Sequence, residues 1–158
     1  MNSFQELHNL CTNNNITVST AESCTVGLLS KNITTFSGSS FFFKGGIIAY
    51  KNEIKTSVLG VSENLIKEKS AVCSEVVEQM AENVRKIFSS DFSIATSGYA
   101  GPTGGTVLNP VGTVFIALSH EKKTISKRFL FSASREEIIN QSVIKASEYF
   151  IQELKNYK

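Results

Sequence analysis

The chain has 158 residues, with 16 lysines and arginines against 14 aspartates and glutamates. A formal charge of +2, carried by scattered basic residues, leaves no electrostatic footprint for nucleic acid, and one domain of this length buries roughly two thirds of its unfolded surface, so its core needs neither staple nor metal. Cys11, Cys24 and Cys73 form an odd set without a C-x-x-C pair, which excludes a disulfide framework and a zinc site and predicts reduced thiols in a cytoplasmic protein, while the lack of a basic-then-apolar leader or of a window near eighteen apolar residues predicts neither export nor a membrane span.

Phe4, Leu7, Leu10 and Cys11 repeat at helical spacing ahead of Asn13 to Asn15 and predict a first helix. "ITVSTA" (16–21) is short and β-branched, and the run from Cys24 through Leu28, Leu29 and Ile33 continues without a breaker to Gly38, so "TAESCTVG" (20–27) is placed at a strand-to-helix junction. "GGIIAY" (45–50) predicts a buried strand, followed by short helices in "NEIKTSVLG" and "SENLIKEK". In "SEVVEQMAENVRKIF" the residues Val76, Val77, Met80, Val84, Ile87 and Phe88 share one helical face, with Ser74 as the expected N-cap. Strands are predicted over 92–98, 111–118 and 124–131, the last two as an antiparallel hairpin joined by "SHEKK", and a closing helix over 134–154. Interleaved strands and helices, without repeats or a linker, predict one α/β domain over 1–158 around a mixed sheet.

Three stretches break the pattern of an ordinary packed domain. Glu22-Ser23-Cys24-Thr25 reads either as a helix cap or as a serine held at a helix N-terminus, where N–H groups could stabilise an oxyanion while Glu22 anchors its neighbours. Cys24 is the rival nucleophile, but His8 and His120, the only histidines, fall in the first helix and a strand-end loop, so the thiol has no evident base. In "GGIIAYKNEIK", Lys55 falls in the first turn of a predicted helix, where a cation is disfavoured and its pKa lowered; the plainer reading has Tyr50 in the core and both Lys51 and Lys55 in solvent. "SGYAGPTGGTVLNPVG" (97–112) holds five of the ten glycines and both prolines, and its backbone N–H groups could approach an anion, with Gly101, Gly104 and Gly105 beside Thr103 and Thr106. It matches neither a Walker loop nor a dinucleotide fingerprint.

In order along the chain, "TAESCTVGLLSKNITTFSGSS", "FKGGIIAYKNEIK", "LGV", "SGYAGPTGGT" and "NPVGTVFIAL" resemble the motifs of the CinA C-terminal domain family, whose enzymes are nicotinamide-nucleotide amidohydrolases. The resemblance covers residues 4–150 and implies the stand-alone form, a three-layer α/β/α sandwich with a mixed, mostly parallel sheet, and a cytoplasmic homo-oligomer that deamidates nicotinamide mononucleotide to nicotinate mononucleotide and ammonia without metal or cofactor. A non-catalytic nucleotide-binding protein tied to competence or DNA damage is the other reading that the family's name suggests. Carried over by motif, the catalytic serine, tyrosine and lysine fall on Ser23, Tyr50 and Lys55, and the substrate-binding set on Glu22, Cys24, Thr25, Gly46, Gly98, Gly101, Gly104, Gly105, Thr106 and Arg135. The implied chemistry has Lys55 lower the phenol's pKa from roughly 10, so that the tyrosinate takes the serine proton. Against the family's usual pattern the chain has Val26 for a glycine, Ser97 and Tyr99 within its T-G-x-A-G-P motif, Asn109 for a lysine, Cys73 and Ser74 for serine and glutamate, and Ile139 for an arginine. The lost cations are ones that could have faced a phosphate.

Overall fold

The structure is a computed structural model that describes residues 2–157. In chain order the elements are α1 (Ser3–Asn14), β1 (Val18–Glu22), α2 (Leu28–Ile33), β2 (Phe43–Ile48), α3 (Asn52–Ser57), α4 (Glu63–Lys69), α5 (Ser74–Phe88), β3 (Phe92–Gly98), β4 (Thr113–His120), β5 (Lys123–Leu130) and α6 (Arg135–Asn156), with a short 3-10 turn at Ser39–Phe41.

The strands form one sheet in the order β2-β1-β3-β4-β5. β1 pairs in parallel with β2 and with β3, and β4 runs antiparallel to β3 and to β5, so β4 alone is reversed and the sheet is mixed with mostly parallel strand directions. Side-chain alternation sends Ile94, Val114, Ile116 and Leu118 to one face, against Phe4, Leu7 and Phe150, and Ala95, Phe115 and Ala117 to the other, against Val76, Val77 and Met80. Helices α1, α2 and α6 thus cover one face and α3, α4 and α5 the other, the three-layer arrangement that interleaved elements imply.

Several predicted boundaries move for identifiable reasons. α5 starts at Ser74 with Cys73 in the capping position, and α2 starts only at Leu28, because Val26 and Gly27 take positive φ (49° and 89°) and keep the chain in a turn. The β4–β5 connection is only Glu121-Lys122, so His120 ends a strand rather than lying in a loop. α6 begins at a capping box in which the Ser134 side chain and Glu137 satisfy each other's backbone N–H groups.

One consequence of this topology positions the site. The chain leaves β1 to build β2 on one side and β3 on the other, so the carboxyl end of β1 is a topological switch point, where open α/β sheets present a crevice. Glu22 closes β1 and Ser23 follows it.

Candidate active site

Glu22 is buried, and its carboxylate accepts from Thr25 Oγ1 (2.6 Å), Leu29 N (2.8 Å), Ser30 N (3.0 Å) and Ser30 Oγ (2.6 Å). The first free N–H groups of α2 are therefore filled by Glu22, and they are not available to an oxyanion beside Ser23 as the sequence suggested. Thr25 Oγ1 also lies 2.8 Å from Thr96 Oγ1, which ties the same turn to β3. Glu22 and Thr25 thus hold the turn that carries Ser23, and neither lines the cavity in front of it.

Ser23 donates its backbone N–H to Thr96 O (3.1 Å) and turns its hydroxyl toward α3, where Lys55 Nζ donates to Ser23 Oγ at 3.0 Å and to Tyr50 O at 3.1 Å. Lys55 is only 2% exposed, so the reading that put both lysines in solvent holds for Lys51 alone, whose side chain is 77% exposed. Burial lowers the Lys55 pKa from its ordinary value, since the desolvated ammonium is disfavoured; the opposing influence would be a thiolate at Cys24. Cys24 does not supply one at neutral pH, because burial pushes its thiol up to about 12. It packs with the core as a small apolar group, and His120 is no partner for it, sitting in register with Phe92 at the opposite end of the sheet from Thr96 and Ser23.

Tyr50 lies beyond the end of β2 and is 55% exposed. Its hydroxyl accepts from Arg135 Nη2 at 3.3 Å, and it is its carbonyl that meets Lys55. In the structure it is thus Lys55 that contacts the Ser23 hydroxyl, while the Tyr50 phenol contacts Arg135. Arg135, in the first turn of α6, also donates Nη1 to Gly101 O at 2.7 Å, which leaves further guanidinium N–H groups for a ligand.

A cavity of about 320 Å³ opens on this group and is lined by Ser23, Cys24, Tyr50, Lys55, Gly98 and Arg135 from the predicted set. Gly98 has no room for a side chain, as a Cβ would come within 2.6 Å of Thr113 O. Gly101 meets the site only through its carbonyl. Gly46, Gly104, Gly105 and Thr106 do not line the cavity. Gly46 sits where a Cβ would collide with Thr20 Oγ1, and Gly105 (φ 79°) where one would lie 2.7 Å from Val111 N, so both are required by close packing. Thr106 accepts from Asn109 N (2.9 Å) inside an exposed turn. Further wall comes from Ser97, Tyr99 and Ala100 around Gly98, from Asn52 and Ile66, and from Ser70, Ala71 and Val72 in the α4–α5 connection, which no sequence signal marked, because an unpatterned connection reveals nothing about what it folds against.

Residues 2–154 match the CinA C-terminal domain family. The chain belongs to this family. It is 45% identical over 152 residues to a CinA-like protein of Flavobacterium psychrophilum, covering 96% of this chain and 36% of that protein, and 49% identical over 122 residues to one of Geotalea uraniireducens, covering 77% and 29%. The chain thus spans about a third of the length of these curated relatives. Among solved structures it superposes on the competence damage-inducible protein A of Klebsiella pneumoniae with a TM-score of 0.95 at 29% identity, covering 99% of this chain and 97% of that one. A CinA superfamily protein of Enterobacter cloacae gives 0.92 at 32% identity, covering 96% and 90%. The CinA-family fold, with its five-stranded mixed sheet between helical layers, is the fold described above. Among the described residues no helix is long and apolar enough to cross a membrane, and no group of three or more metal-ligating side chains is placed to hold an ion.

Proposed function

We propose that the chain is an amidohydrolase that deamidates nicotinamide mononucleotide to nicotinate mononucleotide and ammonia. The observation that carries this reading is the 3.0 Å contact between Ser23 Oγ and the buried Lys55 Nζ at the mouth of a cavity. A lysine whose ammonium is destabilised by burial supplies a neutral amine nearer to neutral pH, and with the proton on Ser23 the same contact runs from Oγ–H to Nζ. Ser23 Oγ attacks the carboxamide carbon as Lys55 takes its proton; when the C–N bond breaks, Lys55 returns that proton to the leaving ammonia. Water then attacks the acyl-serine as Lys55 takes one of its protons, Lys55 passes that proton to Ser23 Oγ as the Ser23 O–C bond breaks, and the acid leaves, giving up its proton to solvent as the carboxylate.

The choice of substrate rests on the resemblance to the family's nicotinamide-nucleotide enzymes, and Arg135 at the rim supplies a cation suited to a phosphate or to the charged end of such a nucleotide. The resemblance also supports a cytoplasmic homo-oligomer that works without metal or cofactor. The test is release of ammonia from nicotinamide mononucleotide by the purified protein, with Ser23→Ala as control. Turnover in the wild type and none in the variant supports the reading, whereas nucleotide binding without turnover would make this a binding protein of the family.

A further inference from the structure

Ser97, Tyr99 and Asn109 reach from β3 and the loop beyond it to the short stretch 70–73 that walls the cavity. Its carbonyls are held by side chains: Cys73 Sγ donates to Ser70 O (3.4 Å), Ser97 Oγ to Ala71 O (2.9 Å) and Asn109 Nδ2 to Val72 O (3.3 Å). Ser70 itself has φ 83° and ψ 158°, a region that belongs essentially to glycine and that a side-chain-bearing residue keeps only where its surroundings enforce it. Two contacts to its Oγ do so, the Val72 N–H at 3.1 Å and the Tyr99 hydroxyl at 3.3 Å.

Tyr99 is fixed where β3 ends. Its N–H donates to Thr113 O (2.9 Å), its carbonyl accepts from Gly112 N (2.7 Å), and its ring lies beside Gly104, where a Cβ would come 3.4 Å from Cδ1. It is thus a fixed post between the glycine-rich loop and the Ser70 wall, and it lines the same cavity as Ser23 and Lys55.

We propose that Tyr99 is a positioning and specificity-determining residue, which holds Ser70 in its strained conformation and so fixes the room beside Ser23 that receives the flat ring of the amide substrate. The identity of that substrate rests on the function proposed above; the mechanical link from Tyr99 through Ser70 to Val72 does not.

Tyr99→Phe removes only the hydroxyl. Native-state hydrogen exchange of the ligand-free protein should show the Val72 amide opening about tenfold faster in this variant, since its acceptor Ser70 Oγ loses its anchor. On nicotinamide mononucleotide, KM should rise roughly three- to tenfold with kcat within about twofold, the pattern of lost positioning rather than lost chemistry. Ser70→Gly, which accepts the same backbone without strain but lacks the hydroxyl, should reproduce the KM rise. Unchanged Val72 exchange in Tyr99→Phe would overturn the proposal, and so would faster exchange with unaltered KM, or a fall in kcat equal to that in kcat/KM. Absence of turnover in the wild type would instead overturn the proposed function, and the exchange measurement would still decide the link.

Discussion

Lys55 Nζ and Ser23 Oγ, 32 residues apart in the chain, are 3.0 Å apart in the fold, and neither side chain has a carboxylate partner in this contact. A buried cation without a counter-ion is costly, which makes a chemical role the more economical account of its placement.

Ser23→Ala should abolish ammonia release while leaving thermal unfolding within a degree or two, because one hydroxyl is lost from a residue whose backbone bonds remain. Cys24→Ala should keep most activity and cost about 1 kcal/mol of stability through lost packing. A dead Cys24→Ala with an active Ser23→Ala would reverse the assignment of nucleophile.

Lys55→Met should lower kcat by two to four orders of magnitude, roughly the scale of general acid–base catalysis. The same variant should unfold at an unchanged or higher temperature, since an apolar side chain of similar length replaces a desolvated ammonium. Lys51→Met, at an exposed site, should be silent in both assays.

Tyr50→Phe should cost far less than Lys55→Met. Its hydroxyl meets Arg135 rather than Ser23, so the expected effect is a KM increase of roughly three- to tenfold from a looser guanidinium. A kcat loss matching that of Lys55→Met would restore the phenol as the proton carrier.

The pH dependence follows from the lowered Lys55 pKa. Activity needs the neutral amine, so kcat should rise with pH along a single limb whose midpoint lies below 10.5. For stability, the unfolded chain binds more protons than the folded one between the folded pKa and the ordinary lysine value, so this site makes unfolding harder as pH rises through that window. Its destabilising effect is fully present below the folded pKa. A comparison of wild type and Lys55→Met by denaturant titration at several pH values should show that slope flattened in the variant.

Glu22→Ala should destabilise the fold by about 3 kcal/mol or more, because it strips the acceptor from the buried Leu29 and half-buried Ser30 backbone N–H groups at the start of α2 and from the Thr25 and Ser30 hydroxyls. Activity should fall with it, as the turn carrying Ser23 loses its anchor. Chemical denaturation combined with the ammonia assay checks both, and an unfolding midpoint equal to wild type would remove Glu22 from this structural role.

Most of the layered architecture was present in local patterns: the short β-branched run of β1, the apolar face of α5 and the polar cluster directly after β1 that marks Ser23. Those signals are local because the periods of strand and helix are local. Everything that turned this cluster into a site depended on distant partners. Whether Lys55 lay in water or against Ser23, whether Glu22 faced a ligand or the start of α2, and whether Tyr50 touched the serine or Arg135 were settled by the order of strands around β1 and by burial. The glycine-rich loop shows the same division. Its glycines announced tight backbone geometry, but only packing against Val111 and Thr113 determined that Gly101, Gly105 and Gly98 serve close approach, while the cavity wall came from Ser70 to Val72, a connection whose residues follow no period and whose conformation is imposed by side chains from β3 and the loop beyond it.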